Sequence, residues 1–288
     1  MIDKPRAPVA IGGLGGSGTR IFAAMLQNAG FFIGSELNEP LDNLWFTVLF
    51  KREIWSRQIP DRADVEISID LFRRAMTTGL AGTLTRYESD LLDELISDLS
   101  PVGRWRCGVT PDQAKSLIEY RPPPGGHGSL WGWKEPNTHL FLPSLDRQID
   151  DLRYIHVVRN GLDMAFSRNT WQADHWSHHY ALKRRTERSD PIHQLRYWIA
   201  ANRRVIDYGQ RHMADRFMVV DYDDFCLRPI LHWPRLQQFL GRPRDTPVPD
   251  GFIAHTSIGR SKNRDISIFP DDVLTEYSLL QDEVVRLT

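Results

Sequence analysis

Residues 8–26, PVAIGGLGGSGTRIFAAML, constrain this chain more than any other stretch. Val9, Ala10 and Ile11 are apolar, five glycines and a serine crowd residues 12–18, and apolar residues recur at helical spacing from Thr19 onward. That order predicts a strand, a tight loop and a helix from Thr19 to Asn28. Such a turn directs backbone N–H groups and the positive end of a helix dipole into one concavity, which suits a phosphate or a sulfate. A nucleotide triphosphatase loop reads G-x-x-x-x-G-K-[ST], with the lysine on the outer phosphates and the hydroxyl on magnesium. Gly13 and Gly18 keep that spacing, but Thr19 stands in the lysine place and Arg20 in the hydroxyl place. An ordinary magnesium-dependent ATPase is disfavoured.

Any anion site has to be local, because a net charge of -1 over 288 residues provides no bulk field for nucleic acid or an acidic membrane. At 41% hydrophobic and 25% charged, the chain reads as a soluble globular protein able to bury a large core. Cys107 and Cys226 form neither a disulfide framework nor a C-x-x-C pair and read as buried reduced thiols. The first residues lack an apolar leader, and the longest apolar run, residues 44–50 broken by Thr47, is too short to span a bilayer. A cytoplasmic protein without a membrane anchor is expected.

A second stretch, residues 153–169, reads RYIHVVRNGLDMAFSRN. Tyr154 to Val158 predicts a buried strand with Arg159 at its end, Asn160-Gly161 turns the chain, and a helix begins at Leu162. Arg159 and Ser167 are eight residues apart. A guanidinium fork and a hydroxyl suit a phosphate dianion, which accepts several charge-assisted hydrogen bonds.

The SGTR sequence at Ser17 to Arg20, together with Arg159 and Ser167, resembles the sulfotransferases that use 3′-phosphoadenosine 5′-phosphosulfate (PAPS). The resemblance implies an α/β, P-loop-like three-layer fold with a mostly parallel central sheet flanked by helices. It implies one domain over residues 1–288 with a helical insertion at about 41–120. Gly16, Ser17, Gly18, Thr19 and Arg20 would hold the 5′-phosphosulfate and Arg159 with Ser167 the 3′-phosphate, without a metal. The family commonly carries Lys or Arg before Ser-Gly-Thr; this chain has Gly16.

Strands are expected near Val9, Phe32, Trp131, Ile155 and Met218, and helices over residues 41–57, 65–79, 84–99 and 191–212. Residues 34–43, GSELNEPLDN, form a loop of the kind on which open α/β sheets place their chemistry, so Glu36 and Glu39 become candidates for a general base. The tyrosylprotein sulfotransferases have a glutamate at a similar distance after the first helix, matched best by Glu36. Carboxylates favoured by a helix dipole are the alternative. The helices that follow would shape the acceptor pocket. Residues 121–129, RPPPGGHGS, form a breaker-rich boundary. In WGWKEP, residues 131–136, Lys134 ends a short strand and, by the resemblance, would stabilise the transition state; His139 is a further base candidate.

Residues 171–180, WQADHWSHHY, place His175 and His179 at i, i+4, but without an acidic or cysteine partner they fit a lid over the acceptor better than a metal site. The basic run Lys183, Arg184, Arg185, Arg188 suits a solvated face or the nucleotide side. After the strand FMVVD, residues 217–221, the segments YDDFCLRP and LQQFLG resemble the family's closing pattern. In SIGRSKNR, residues 257–264, Arg260 leads Lys262 and Arg264 as a contact from a loop that closes over the nucleotide. The expected reaction moves a sulfuryl group from PAPS to a hydroxyl or amine of a small-molecule or carbohydrate acceptor. A magnesium-dependent small-molecule kinase of the same architecture and a catalytically silent nucleotide-binding protein, which Gly16 keeps open, are the alternatives.

Overall fold

Five consecutive buried residues, Val9–Gly13, form β1 and lead directly into the glycine loop. The computed structural model describes residues 7–99, 109–122, 130–183, 188–248 and 258–288. Four strands form one parallel sheet in the order β2-β1-β3-β4. Their near-continuous apolar character is what a parallel sheet covered by helices requires. The chain divides into two units, and the division falls inside β1.

The first unit runs to Ile11 and resumes over Phe22–Arg153. It holds most of α1 (Thr19–Asn28), then α2 (Leu44–Phe50), α3 (Arg62–Thr77), α4 (Arg86–Asp98), α5 (Pro111–Glu119), β2 (Gly132–Lys134) and α6 (Thr138–Gln148). β2 runs parallel to β1, with Val9 opposite Gly132 and Ile11 opposite Lys134. Aromatic rings fill the core beside it: Phe46 stacks on Phe50 at 4.3 Å, Phe72 meets Trp133 edge-on at 5.0 Å, and Phe141 lies 5.1 Å from Phe50. Rings in these orientations add to the stabilisation that their burial alone provides.

The second unit comprises Gly12–Ile21 and Tyr154–Thr288. It contains β3 (Arg153–Val158, all but its first residue), α7 (Gly161–Ala165), α8 (Trp171–Trp176), α9 (Pro191–His212), β4 (Phe217–Asp221), α10 (Tyr222–Leu227), α11 (Pro229–Phe239) and α12 (Asp271–Leu287). β3 and β4 pair in parallel from Tyr154 opposite Phe217 to Val158 opposite Asp221.

Two expected elements differ. The strand expected near Phe32 is a single parallel bridge to Trp131. Gly34, at φ +136°, turns the chain, and Asn43 Nδ2 takes the Ile33 carbonyl at 2.8 Å, so the ladder cannot continue. The helix expected over 41–57 is α2 followed by one 3-10 turn at Ile54–Ser56. Every residue of α2 is buried, and the consecutive charges Lys51, Arg52 and Glu53 cannot follow that path, so the helix ends before them. Cys226 is a buried free thiol, pushed up to about 11 by its burial. Cys107, Arg184, Arg185, Ser257 and most of the 121–129 boundary lie outside the described residues.

Candidate active site

The glycine loop and the Arg159 segment belong to the same unit and meet directly: Arg159 donates from its guanidinium to the Gly16 carbonyl at 3.2 Å. Arg159 is buried at the end of β3, 3.7 Å from the Asp163 carboxylate and with its guanidinium carbon 5.7 Å from the centre of the Tyr222 ring. Tyr222 also fixes the loop. Gly18 has φ +90°, and a Cβ there would lie 2.0 Å from the Tyr222 ring, so only glycine fits. Gly16 has φ +97°, a conformation side chains rarely adopt, so a Lys or Arg there would be strained in this loop.

Ser17 is 1% exposed, and its hydroxyl has no hydrogen-bond partner among the described residues. Thr19 is buried and Arg20 exposed at the first turn of α1, where the leading N–H groups have no acceptor within the helix. The Gly15 N–H donates to Gln172 Oε1 at 2.8 Å, which ties α8 to the loop. α8 and the turn after it are packed, with Trp176 and Ser177 fully buried. His175 Nδ1 lies 2.6 Å from the Trp171 carbonyl oxygen, and no metal-binding group of three or more His, Cys, Asp or Glu occurs among the described residues.

Ser167 follows α7, between two residues that approach the loop: Met164 atoms lie 3.8–3.9 Å from a Cβ built at Gly16, and Asn169 Nδ2 4.0 Å. Its Oγ accepts from the Asn169 N–H at 3.1 Å, and Gln194 of α9 donates to its carbonyl at 3.2 Å. The 258–264 turn reaches the same helix. Arg264 lies over the Phe166 ring at 5.8 Å, and Arg260 is exposed. Asp163 holds that turn through Gly259 and Ser261. The YDDF segment takes part too, since Asp223 accepts the Asn160 N–H at 2.7 Å.

The remaining candidates sit in the first unit, on the loop of residues 34–43 and the end of β2. Lys134 is 2% exposed, and its ammonium donates to the Pro40 carbonyl at 2.8 Å and to Asp42. The other Asp42 oxygen accepts from Asn38 Nδ2 at 2.9 Å, and the Asn43 N–H donates to the Lys134 carbonyl at 2.8 Å. The loop is thereby knitted to the strand end. Glu36 is half-buried and accepts from the Ser116 hydroxyl at 3.4 Å; Glu39 is exposed and His139 buried on α6. Glu135, beside Lys134, is buried and receives the Asn137 N–H at 2.6 Å, with Lys51 3.8 Å away. Burial pushes its carboxyl up to about 7; Lys51 opposes the shift and Asp42 adds to it.

Asp42, Glu135, Asp163, Gln172 and Tyr222 were not singled out from the sequence. Each except Glu135 works through a partner distant in sequence, as Gln172 does through Gly15. The family match takes in every one of these residues except the 258–264 turn: the sequence matches the sulfotransferase family over residues 8–246. No curated protein sequence matches the chain. Among solved structures it is similar to the sulfotransferase domain of the Synechococcus olefin synthase, at 14% identity over 98% of this chain and 97% of that one, TM-score 0.49. It is similar to a sulfotransferase from Alicyclobacillus acidocaldarius, at 16% identity over 98% and 93%, TM-score 0.43. A sulfotransferase from Mycobacterium tuberculosis, STF1, is 16% identical over 98% and 76%, TM-score 0.40. With the match spanning both phosphate-type motifs and Lys134, this chain belongs to the sulfotransferase family.

Proposed function

We propose that this chain transfers a sulfuryl group from PAPS to a hydroxyl or amine of a small-molecule acceptor. The observation that carries the reading is the hydrogen bond from Arg159 to Gly16, which joins the glycine loop and the Arg159 to Ser167 segment in one unit. Two anion seats side by side suit a nucleotide bearing a phosphosulfate and a separate phosphate. The orphaned Ser17 hydroxyl supports the fit, because a buried polar atom without a partner costs free energy that a bound anion would recover. When bound, PAPS supplies the sulfuryl group.

The chain supplies the rest. Residues 16–20 would bind the 5′ side through backbone N–H groups and the Ser17 and Thr19 hydroxyls, with the α1 dipole favouring negative charge there. Arg159, Ser167 and Arg260 would hold the 3′-phosphate. Glu36, half-buried and held by Ser116, is the proposed general base; the exposed Glu39 is the alternative. Lys134 would place positive charge at the reacting centre, its ammonium oriented by Pro40 and Asp42.

Calorimetry on the full chain tests the donor half of this reading. Adenosine 3′,5′-bisphosphate should bind well and magnesium ATP poorly. Arg159→Ala should weaken the bisphosphate about 10- to 100-fold, the loss expected when charged hydrogen bonds are removed. Tight magnesium-dependent ATP binding would favour a kinase. A donor-saturated screen of acceptors with labelled sulfate tests the transfer, and bisphosphate binding with no turnover on any acceptor would leave a silent binding protein.

A further inference from the structure

Asp163 is a buried carboxylate that the roles above do not use, and it touches both walls of the 3′ side. One oxygen accepts the Gly259 N–H at 2.7 Å and lies 3.7 Å from the Arg159 guanidinium. The other accepts the Ser261 N–H at 2.7 Å and the Ser261 hydroxyl at 2.6 Å. Burial works to raise its pKa, but the hydrogen bonds from Ser261, Arg260 and Gly259 outweigh it and hold the group below the usual carboxylate range. Asp163 is therefore a fixed anion under a turn whose residues 258–264 carry Arg260, Lys262 and Arg264 and no acid.

The chemistry of that arrangement is specific. A turn with three cations and no acid repels itself and the neighbouring Arg159, and one buried carboxylate bonded to its amides offsets that repulsion. Because Asp163 bonds the backbone of the turn, the side chains of Arg260 and Lys262 remain available to a ligand. Arg264 is directed elsewhere, over Phe166. A monophosphate nucleotide held at the glycine loop alone would not feel this turn.

We propose that Asp163 is the positioning residue that gives the site its preference for a 3′-phosphorylated nucleotide, by holding the Arg260 turn against Arg159 so that both act on the same phosphate. The proposal rests on the PAPS reading. Asp163 does not touch the nucleotide; it acts through Arg159 and through Gly259 to Ser261.

The test is the affinity of the full chain for adenosine 3′,5′-bisphosphate and for adenosine 5′-monophosphate, measured by calorimetry in the parent, Asp163→Asn, Arg260→Ala and the double variant. Asp163→Asn should weaken the bisphosphate about tenfold and the monophosphate by less than about twofold, in line with loss of hydrogen bonds to a charged group. In the double variant, Arg260→Ala should cost much less than it does alone, because the turn is already displaced. Ser261→Ala removes a single hydrogen bond and should lower only the bisphosphate affinity, by about two- to fivefold, keeping the proposal testable even where Asp163→Asn does not fold. Equal losses for both nucleotides, or additive effects of Asp163→Asn and Arg260→Ala, would mean a merely structural role and overturn the proposal. A parent that prefers the bisphosphate while the variants keep that preference sinks this proposal alone; a parent with no such preference sinks the PAPS reading and this proposal with it.

Discussion

Lys134 shows how much of a residue's chemistry depends on its partners. From the sequence it is a cation at a strand end; in the fold it is a buried cation already met by Asp42 and the Pro40 carbonyl. An ammonium held on both sides is fixed in place, which favours preorganised charge over a mobile surface lysine. Lys134→Ala should lower sulfuryl turnover by about 100-fold, as loss of one preorganised electrostatic group does elsewhere, while bisphosphate affinity changes by less than about twofold. Comparable losses in both measurements would place Lys134 in donor binding instead. Its neighbour Glu135 makes a pH prediction. Burial raises its pKa from 4.5 to about 7, so the folded chain binds that proton more tightly than the unfolded chain does. The contribution of Glu135 to stability should then fall as pH rises from 4.5 to about 7, and no further beyond that window. Glu135→Gln cannot ionise and retains an oxygen to accept the Asn137 N–H. Denaturant unfolding at a series of pH values should show the variant gaining on the parent through that window; a gap independent of pH would contradict it.

At the scale of elements, β3 is held to α9 by side chains that meet inside the second unit. His156 is fully buried and shares a hydrogen bond of 2.9 Å between its Nε2 and Asn202 Oδ1, while the Trp198 indole donates to the Arg159 carbonyl at 2.9 Å. The strand end that carries Arg159 is set by a helix some forty residues away, about the separation of 39 between those two positions. Burial lowers the His156 pKa from 6.5 to about 4, with Asn202 opposing the shift, so the unfolded chain takes up a proton that the folded chain refuses. The contribution of His156 to stability should therefore be lost as pH falls from 6.5 to about 4, opposite in sign to that of Glu135. Asn202→Ala leaves the buried His156 Nε2 without its partner and should cost about 1–3 kcal/mol at neutral pH, measured by chemical unfolding. The same geometry explains what the sequence could and could not reveal. α1, α9 and β4 have the expected bounds because their apolar periodicity and end signals are local. α5, α6 and α12 were not expected, although the Thr110 to Gln113 capping box and the apolar spacing of Val273, Tyr277, Leu280 and Val284 were present; in α6 the internal Pro143 mimics a break. The strand near Phe32 failed because a side chain, Asn43, takes the carbonyl that a ladder would need. Arg159 and the glycine loop were legible as motifs, whereas Asp163 and Asp42 take up their roles through partners 96 and 92 residues away as well as through near neighbours.

For the molecule as a whole, a net charge of -1 means that attraction for the proposed polyanionic nucleotide would have to come from local geometry, with no field from the whole surface behind it. The loop residues Gly12–Ile21 and the Arg159 segment lie in one of the two units, so binding of the proposed donor there would act on that unit's stability. A ligand that binds only the folded state stabilises it by RT ln(1 + [L]/Kd), about 2.7 kcal/mol at a hundredfold excess over Kd. For a fold of this size each kcal/mol raises the midpoint by roughly 2–4 °C, so saturating adenosine 3′,5′-bisphosphate should raise Tm by roughly 5–10 °C. Magnesium ATP at the same concentration should raise it by less than about 2 °C, since its outer phosphates meet no lysine in the loop. Hydrogen exchange locates the effect. Protection should increase in Gly12–Ile21, in β3 and α7, and around the 258–264 turn, where the residues assigned to the two phosphates lie. If the bisphosphate raised Tm but protected none of these segments, binding would be elsewhere on the protein, and the roles given to Ser17, Arg159 and Ser167 would have to be abandoned together.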